Sequence, residues 1–186
     1  MNRVFSFAPV VSGRSRVLIL GTMPSVRSLE AQQYYAHPQN AFWPIMGVLF
    51  GADRSMPYVR RLAVLDRAGI ALWDSLATCV RPGSLDSSIT DEVPNDLCAF
   101  FAKYPKITHV FFNGAKSESA FRRHTMPMLV GGPHIFQRLP STSPARAIGL
   151  EAKMRAWCAV REALLRSTSP RSAAGQMYTP FMPPAG

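Results

Sequence analysis

The chain has 186 residues, enough for one well-buried domain and too few for two comfortable ones. Hydrophobic residues make up 47%, yet no apolar run approaches the ~20 residues of a membrane span and the N-terminus lacks the pattern of a signal peptide, so a soluble, cytoplasmic or nucleoid-associated protein is expected. Lys and Arg outnumber Asp and Glu by 21 to 11, a formal charge of +10, which favours a polyanionic partner, nucleic acid first.

Taken in chain order, SRVLILG (Ser15 to Gly21) is a continuous apolar run stopped by glycine and predicts a strand buried on both faces. HPQNAFWPIM (His37 to Met46) follows Tyr34 and Tyr35 and reads as a loop crowded with rings and amides between prolines. Tyr58, Leu62 and Leu65 recur at helical spacing before a stop at Gly69, and GIALWDSL (Gly69 to Leu76) is a second apolar strand. VPNDLCAFFAKYP predicts a helix with Pro94 in its first turn and Leu97, Phe100, Phe101 and Tyr104 on one face. ITHVFFNG (Ile107 to Gly114) is a third strand, AKSESAFRRH a helix, and HIFQRLPS (His134 to Ser141) a more polar strand nearer an edge. LEAKMRAWCAVREALLR (Leu150 to Arg166) closes the pattern as an amphipathic helix. Strands alternating with helices predict an α/β fold with a mainly parallel sheet covered on both sides. Residues 1–166 form the domain, and 167–186, rich in Ser and Pro without periodicity, read as a mobile tail.

Three polar segments fall at predicted strand ends, where parallel α/β sheets bind ligands: GTMPS (Gly21 to Ser25), FFNGAKS (Phe111 to Ser117) and LPSTSPA (Leu139 to Ala145). Each offers small residues, hydroxyls and backbone N–H groups near a helix start. GTMPS lacks the glycine spacing and lysine of a P-loop, and no GxGxxG occurs, which argues against a nucleoside triphosphate site. Cys79, Cys98 and Cys158 are isolated and read as buried thiols, and the four histidines are dispersed, so neither a metal nor an iron–sulfur cluster nor any other cofactor is implied.

GTMPS, QYYAHPQNAFWPIM, ALWDSL with GSLDSSI, VFFNGAK and LPSTSPA, in that order, resemble the motifs of the uracil-DNA glycosylase superfamily, and more narrowly its DNA-deoxyinosine, or hypoxanthine-DNA, glycosylase branch. The resemblance runs from about Arg16 to Leu165. It implies a three-layer α/β/α domain around four parallel strands, no metal, and a monomer that flips a deaminated base out of DNA into a pocket at the strand ends. Phe42, with Trp43 next to it, is expected to stack on the base, and Asn113 to read its edge, because an amide offers both a donor and an acceptor. Thr22 and Met23 would line the pocket with backbone N–H groups. Ser25, Ser141, Ser143 and Lys116 would contact DNA phosphates, and Arg146 would clamp a phosphate or fill the gap left by the flipped base. Arg27, Arg81, Arg122 and Arg123 are further candidates for the basic face.

Several relatives carry a carboxylate in the first motif or a histidine opening the last; here the first motif has none and Leu139 stands in the histidine's place. Asn40 fills the position that the hypoxanthine branch associates with catalysis, where its neutral amide would orient a water. Asp74, after the second strand, is the reserve for that task, although an Asp there also suits a helix cap. Asp86 reads as a turn residue. No lysine holds a Schiff-base position, so base release without strand cleavage is expected. The competing readings are a protein of the same fold that binds damaged or single-stranded DNA without cutting it, and an unrelated α/β enzyme acting on a small phosphorylated substrate.

Overall fold

The computed structural model describes residues 3–129 and 131–166, so the expected tail lies outside the described residues. Four strands form a wholly parallel sheet in the order β3-β2-β6-β7: β2 (Val17–Gly21), β3 (Ile70–Asp74), β6 (His109–Asn113) and β7 (Ile135–Leu139). The central strand β2 alternates between two cores. Val17 and Ile19 pack beneath α2 (Phe42–Phe50), α3 (Tyr58–Ala68) and α6 (Leu150–Arg166), whereas Leu18 and Leu20 face α4 (Leu97–Lys103) and α5 (Ala115–His124). All four are fully buried, each contributing roughly 1.5–3 kcal/mol. The arrangement is the expected three-layer α/β/α sandwich, and the polar strand β7 is indeed at an edge.

A second sheet is new relative to the sequence reading. β1 (Arg3–Phe5), β4 (Leu76–Val80) and β5 (Thr90–Pro94) pair antiparallel in the order β1-β4-β5. The chain leaves the parallel sheet at Ser75, whose N–H bonds the Gly21 carbonyl and whose hydroxyl donates to the Ser117 carbonyl. β5 is polar and irregularly registered, which hid it from periodicity.

Two further boundaries differ. Pro94 ends β5 instead of starting a helix, and α4 begins after Asp96, whose carboxylate accepts the Ala99 N–H at 2.9 Å. HPQNAFWPIM is half helix: Phe42 opens α2, and Pro44 is tolerated because the first turn leaves N–H groups unpaired anyway. A short helix α1 (Val26–Ala31) is capped by Ser25, whose hydroxyl accepts the Ser28 N–H. Of the thiols, Cys79 is buried and Cys98 and Cys158 are half-buried. No described helix is long and apolar enough to cross a membrane.

Candidate active site

The three strand-end motifs converge on one cavity of about 250 Å³. Gly21 to Ser25 form one wall, Asn113 and Asp74 the floor at their strand ends, Ser141 to Ser143 with Arg146 the opposite wall, and Tyr35, Asn40 and Asp86 complete it. Of the expected residues, Thr22, Met23, Ser25, Asn40, Asp74, Asn113, Ser141, Ser143 and Arg146 all line the cavity.

Although the first motif has no carboxylate, the neighbouring strand places one beside it. Asp74 is paired in register with Gly21, and a Cβ at position 21 would fall 2.4 Å from Asp74 Oδ1, so only glycine lets the acid lie against that backbone. Asp74 is therefore part of the cavity and not a helix cap: it ends β3, and no helix follows it. Ser6, from the N-terminal segment, donates to Asp74 Oδ2 at 2.8 Å. Burial pushes the Asp74 carboxyl up to about 7, a rise that the Ser6 hydrogen bond moderates and the nearby Asp86 charge reinforces. Asp86 is not an idle turn residue: it begins a single 3₁₀ turn and accepts the Thr22 hydroxyl at 2.9 Å. Its own carboxyl is raised by burial, against the pull of Thr22 and Arg81. The site thus holds two acids whose burial disfavours their charged forms, Asp74 most strongly.

Thr142, to which the sequence reading gave no role, ties the motifs together. Asn113 Nδ2 donates to Thr142 Oγ1 and Asn113 Oδ1 accepts the Thr142 N–H, both at 2.8 Å. The Thr142 carbonyl accepts the Ala41 N–H at 3.0 Å, which joins the last motif to the start of α2. Gly114 makes room for this crossing, since a Cβ there would sit 3.0 Å from Ser141 Cβ and its φ of 104° suits glycine. Two of the four hydrogen-bonding positions of the Asn113 amide are therefore spent inside the protein, leaving one N–H and one lone pair for a ligand. Thr142→Val should free the Asn113 Nδ2 while the backbone N–H still holds Oδ1, lower stability by about 1–3 kcal/mol and erode discrimination between bases; thermal melts and competing-base excision rates check this.

The expected stacking rings are misplaced in the sequence reading. Phe42 and Trp43 are fully buried core residues and do not reach the cavity. The first turn of α2 turns both inward, where the Trp43 indole donates to the Tyr34 carbonyl at 2.9 Å. Tyr35 stands in front of them: its ring stacks on Phe42 with centroids 3.9 Å apart and planes 21° apart, and it lines the cavity. The backbone at Tyr35 is left-handed, with φ 57°, which swings the ring out of line with its neighbours. Its hydroxyl is buried beside the Asn113 amide and Asp74, and burial raises its ionisation far above the ordinary range, a rise that the Asn113 amide moderates. The adjacent tyrosines were visible in the sequence, and both line the cavity, but nothing there showed that Tyr35 and not the more deeply buried Tyr34 carries the ring stacked on Phe42. Tyr35→Leu is expected to lower kcat/KM on damaged DNA roughly 10- to 100-fold, and Tyr35→Phe to retain most of it, because stacking is a property of the ring.

The basic candidates divide. Arg146 is exposed and unpaired by any acid among the described residues. Lys116 is instead bound to Glu92 at 2.5 Å, a carboxylate that also takes Arg123 and His124, so it lies outside the cavity wall. Arg81 is buried and donates to the Pro24 and Gly83 carbonyls, holding the first motif against the Asp86 turn; it is not part of a basic face. Arg122 pairs with Glu118, and Arg27 with Glu30. Among the described residues no cluster of three His, Cys, Asp or Glu side chains could hold a metal ion.

Comparison with known proteins agrees with this geometry. The family model for the uracil DNA glycosylase superfamily matches residues 8–165. A hypoxanthine DNA glycosylase of Methanosarcina barkeri is 34% identical over 81% of this chain and 93% of its own length. One from Methanosarcina acetivorans is 35% identical over 83% of this chain and 95% of its own. A solution NMR structure from Methanosarcina acetivorans, described as a candidate uracil DNA glycosylase, superposes with a TM-score of 0.75 at 32% identity, covering 88% of this chain and 99% of that one.

Proposed function

Since the chain belongs to the uracil-DNA glycosylase superfamily, we propose that it is a monofunctional glycosylase that hydrolyses the N-glycosidic bond of a deaminated base in DNA, hypoxanthine foremost, and leaves an abasic site. The observation that carries the proposal is the Asp74 carboxyl, set in register with Gly21 on the floor of a cavity walled by an aromatic ring. Hypoxanthine is favoured because both curated relatives bear that name, and because the Asn113 amide suits the adjacent N–H and C=O that hypoxanthine shares with uracil and xanthine.

A flipped base lying on Tyr35 would present that edge to the free half of the Asn113 amide. Cleavage develops positive charge on the sugar and negative charge on the base. Backbone N–H groups of the first motif and the Asn40 amide would stabilise the departing base. Asp74, when ionised, would accept the proton of the water that attacks the sugar. Among the described residues no lysine lines the cavity, which supports water over a lysine as the nucleophile. The competing reading as a binder without chemistry rests on the missing first-motif carboxylate and the missing histidine; the Asp74 carboxyl in the cavity weighs against the first of these, while Leu139 still stands in the histidine's place.

The test is cleavage of end-labelled oligonucleotides carrying one deoxyinosine, deoxyuridine or deoxyxanthosine, single- and double-stranded, with and without alkali. An alkali-dependent product, largest with deoxyinosine, is expected. Tight binding with no product would leave a reader of damaged DNA, and a nick without alkali would overturn the monofunctional assignment.

A further inference from the structure

A second groove, about 380 Å³, opens beside the base cavity and shares Asn40 and Arg146 with it. One wall is the Pro38 to Ala41 stretch with Pro44; the other runs from Pro144 through Arg146 to the first turn of α6. At its base lies Lys153, only 4% exposed. Its ammonium donates to the Ser143 carbonyl at 3.1 Å, and no carboxylate pairs with it among the described residues. Glu151, the acid nearest in sequence, is engaged by Arg155 at 2.5 Å.

A buried ammonium with a single neutral partner is costly unless something compensates it. Burial lowers the Lys153 pKa, and the positive charge of Arg146 lowers it further, so a second cation adds to the cost. Two cations forced together in a groove with no acid form a site awaiting an anion. The prolines on both walls have no N–H to compete for it and fix the backbone, so the groove is held open before binding. Because the groove shares Asn40 and Arg146 with the base cavity, it lies where the strand beside a base held in that cavity could pass.

We propose that this groove seats one backbone phosphate flanking the flipped nucleotide, with Lys153 and Arg146 as its two cations. The assignment rests on the glycosylase reading for its ligand. Arg146 thereby becomes a phosphate clamp and not the residue that fills the gap in the duplex. Lys153 does two things at once: it holds the Ser143 carbonyl, and so the loop from Ser141 to Arg146, and it lines the groove with a cation.

The experiment is binding of the full chain to a duplex containing a tetrahydrofuran abasic analogue, titrated against salt, with a neutral methylphosphonate placed at each flanking position in turn. The wild-type protein should lose about tenfold at one position. Lys153→Met should show a slope of log K against log salt that is shallower by about one, and no further loss at that same position. Arg146→Met, on the exposed side of the groove, should behave alike, and Lys153→Arg should restore both readouts. A Lys153→Met protein with unchanged slope and unchanged methylphosphonate pattern would reduce Lys153 to a loop prop and overturn the proposal. Should Lys153→Met fail to fold, Arg146→Met and Lys153→Arg decide the matter by the same two readouts. Because neither readout involves turnover, a missing abasic product would overturn the glycosylase reading alone, and a missing interference pattern the phosphate seat alone.

Discussion

Asp74→Asn should lower base excision by roughly 10²–10⁴-fold while leaving DNA binding close to wild type. The substitution keeps size and leaves an oxygen to accept the Ser6 hydroxyl, so the loss would be of basicity and not of structure. Wild-type single-turnover rates should rise with pH through about 7, the value to which burial lifts the carboxyl, and level off above it, because only the ionised acid can accept a proton from water. The variant should show no such rise. Stability should move the other way. An acid whose folded pKa lies above its unfolded value of 3.8 binds its proton more tightly in the folded state. Wild-type stability therefore falls as pH rises from about 4 to about 7, at up to roughly 1.4 kcal/mol per pH unit, and the Asn variant escapes that loss. Denaturant melts at pH 5 and pH 8 should show Asp74→Asn gaining on wild type only as pH rises. Equal excision by the two proteins across this range would remove Asp74 from the chemistry.

This pairing of higher stability with lost activity is informative because the same burial causes both. Ser6 and Gly21 keep a carboxyl in a place where its charge is disfavoured, which makes no sense as packing. It supports the proposed role, in which a proton changes hands near neutral pH.

The strands and long helices were legible because their signals are local. An apolar run such as Val17 to Leu20 is buried on both faces whatever surrounds it, and Gly69 stops α3 by its own left-handed backbone. The gathering of motifs at strand ends was legible too, since parallel topology sends those ends to one side. What stayed hidden depends on contacts between distant segments. Tyr35 and Phe42 are both rings in one stretch, and only the turn of α2 decides which is buried. Thr142 looks like any hydroxyl in LPSTSPA until Asn113 meets it across 29 residues. Asp74 gains its meaning from register with Gly21, and Lys153 from the loop it supports, neither of which has a spacing signature. β5 is too polar and irregular to announce itself.

Asn40 is where position in the fold changes the expected chemistry most. Its Oδ1 accepts the Phe42 N–H at 2.9 Å and so helps start α2, which leaves the Nδ2 group without a partner among the described residues. An amide in that state is chiefly a donor, suited to a departing base that gains negative charge and less suited to orienting a water by accepting its proton. Asn40→Ala should lose both roles: roughly 10²–10³-fold in excision rate, with about 1 kcal/mol of stability from the vacated helix start. Asn40→Asp separates them. Its carboxylate can still accept the Phe42 N–H, so the melt should match wild type, yet it has no donor and places negative charge beside the departing base. Its excision rate should therefore fall at least as far as that of Asn40→Ala. An Asn40→Asp protein as active as wild type would show that an acceptor suffices at this position, and would return the water to Asn40 and leave Asp74 a bystander.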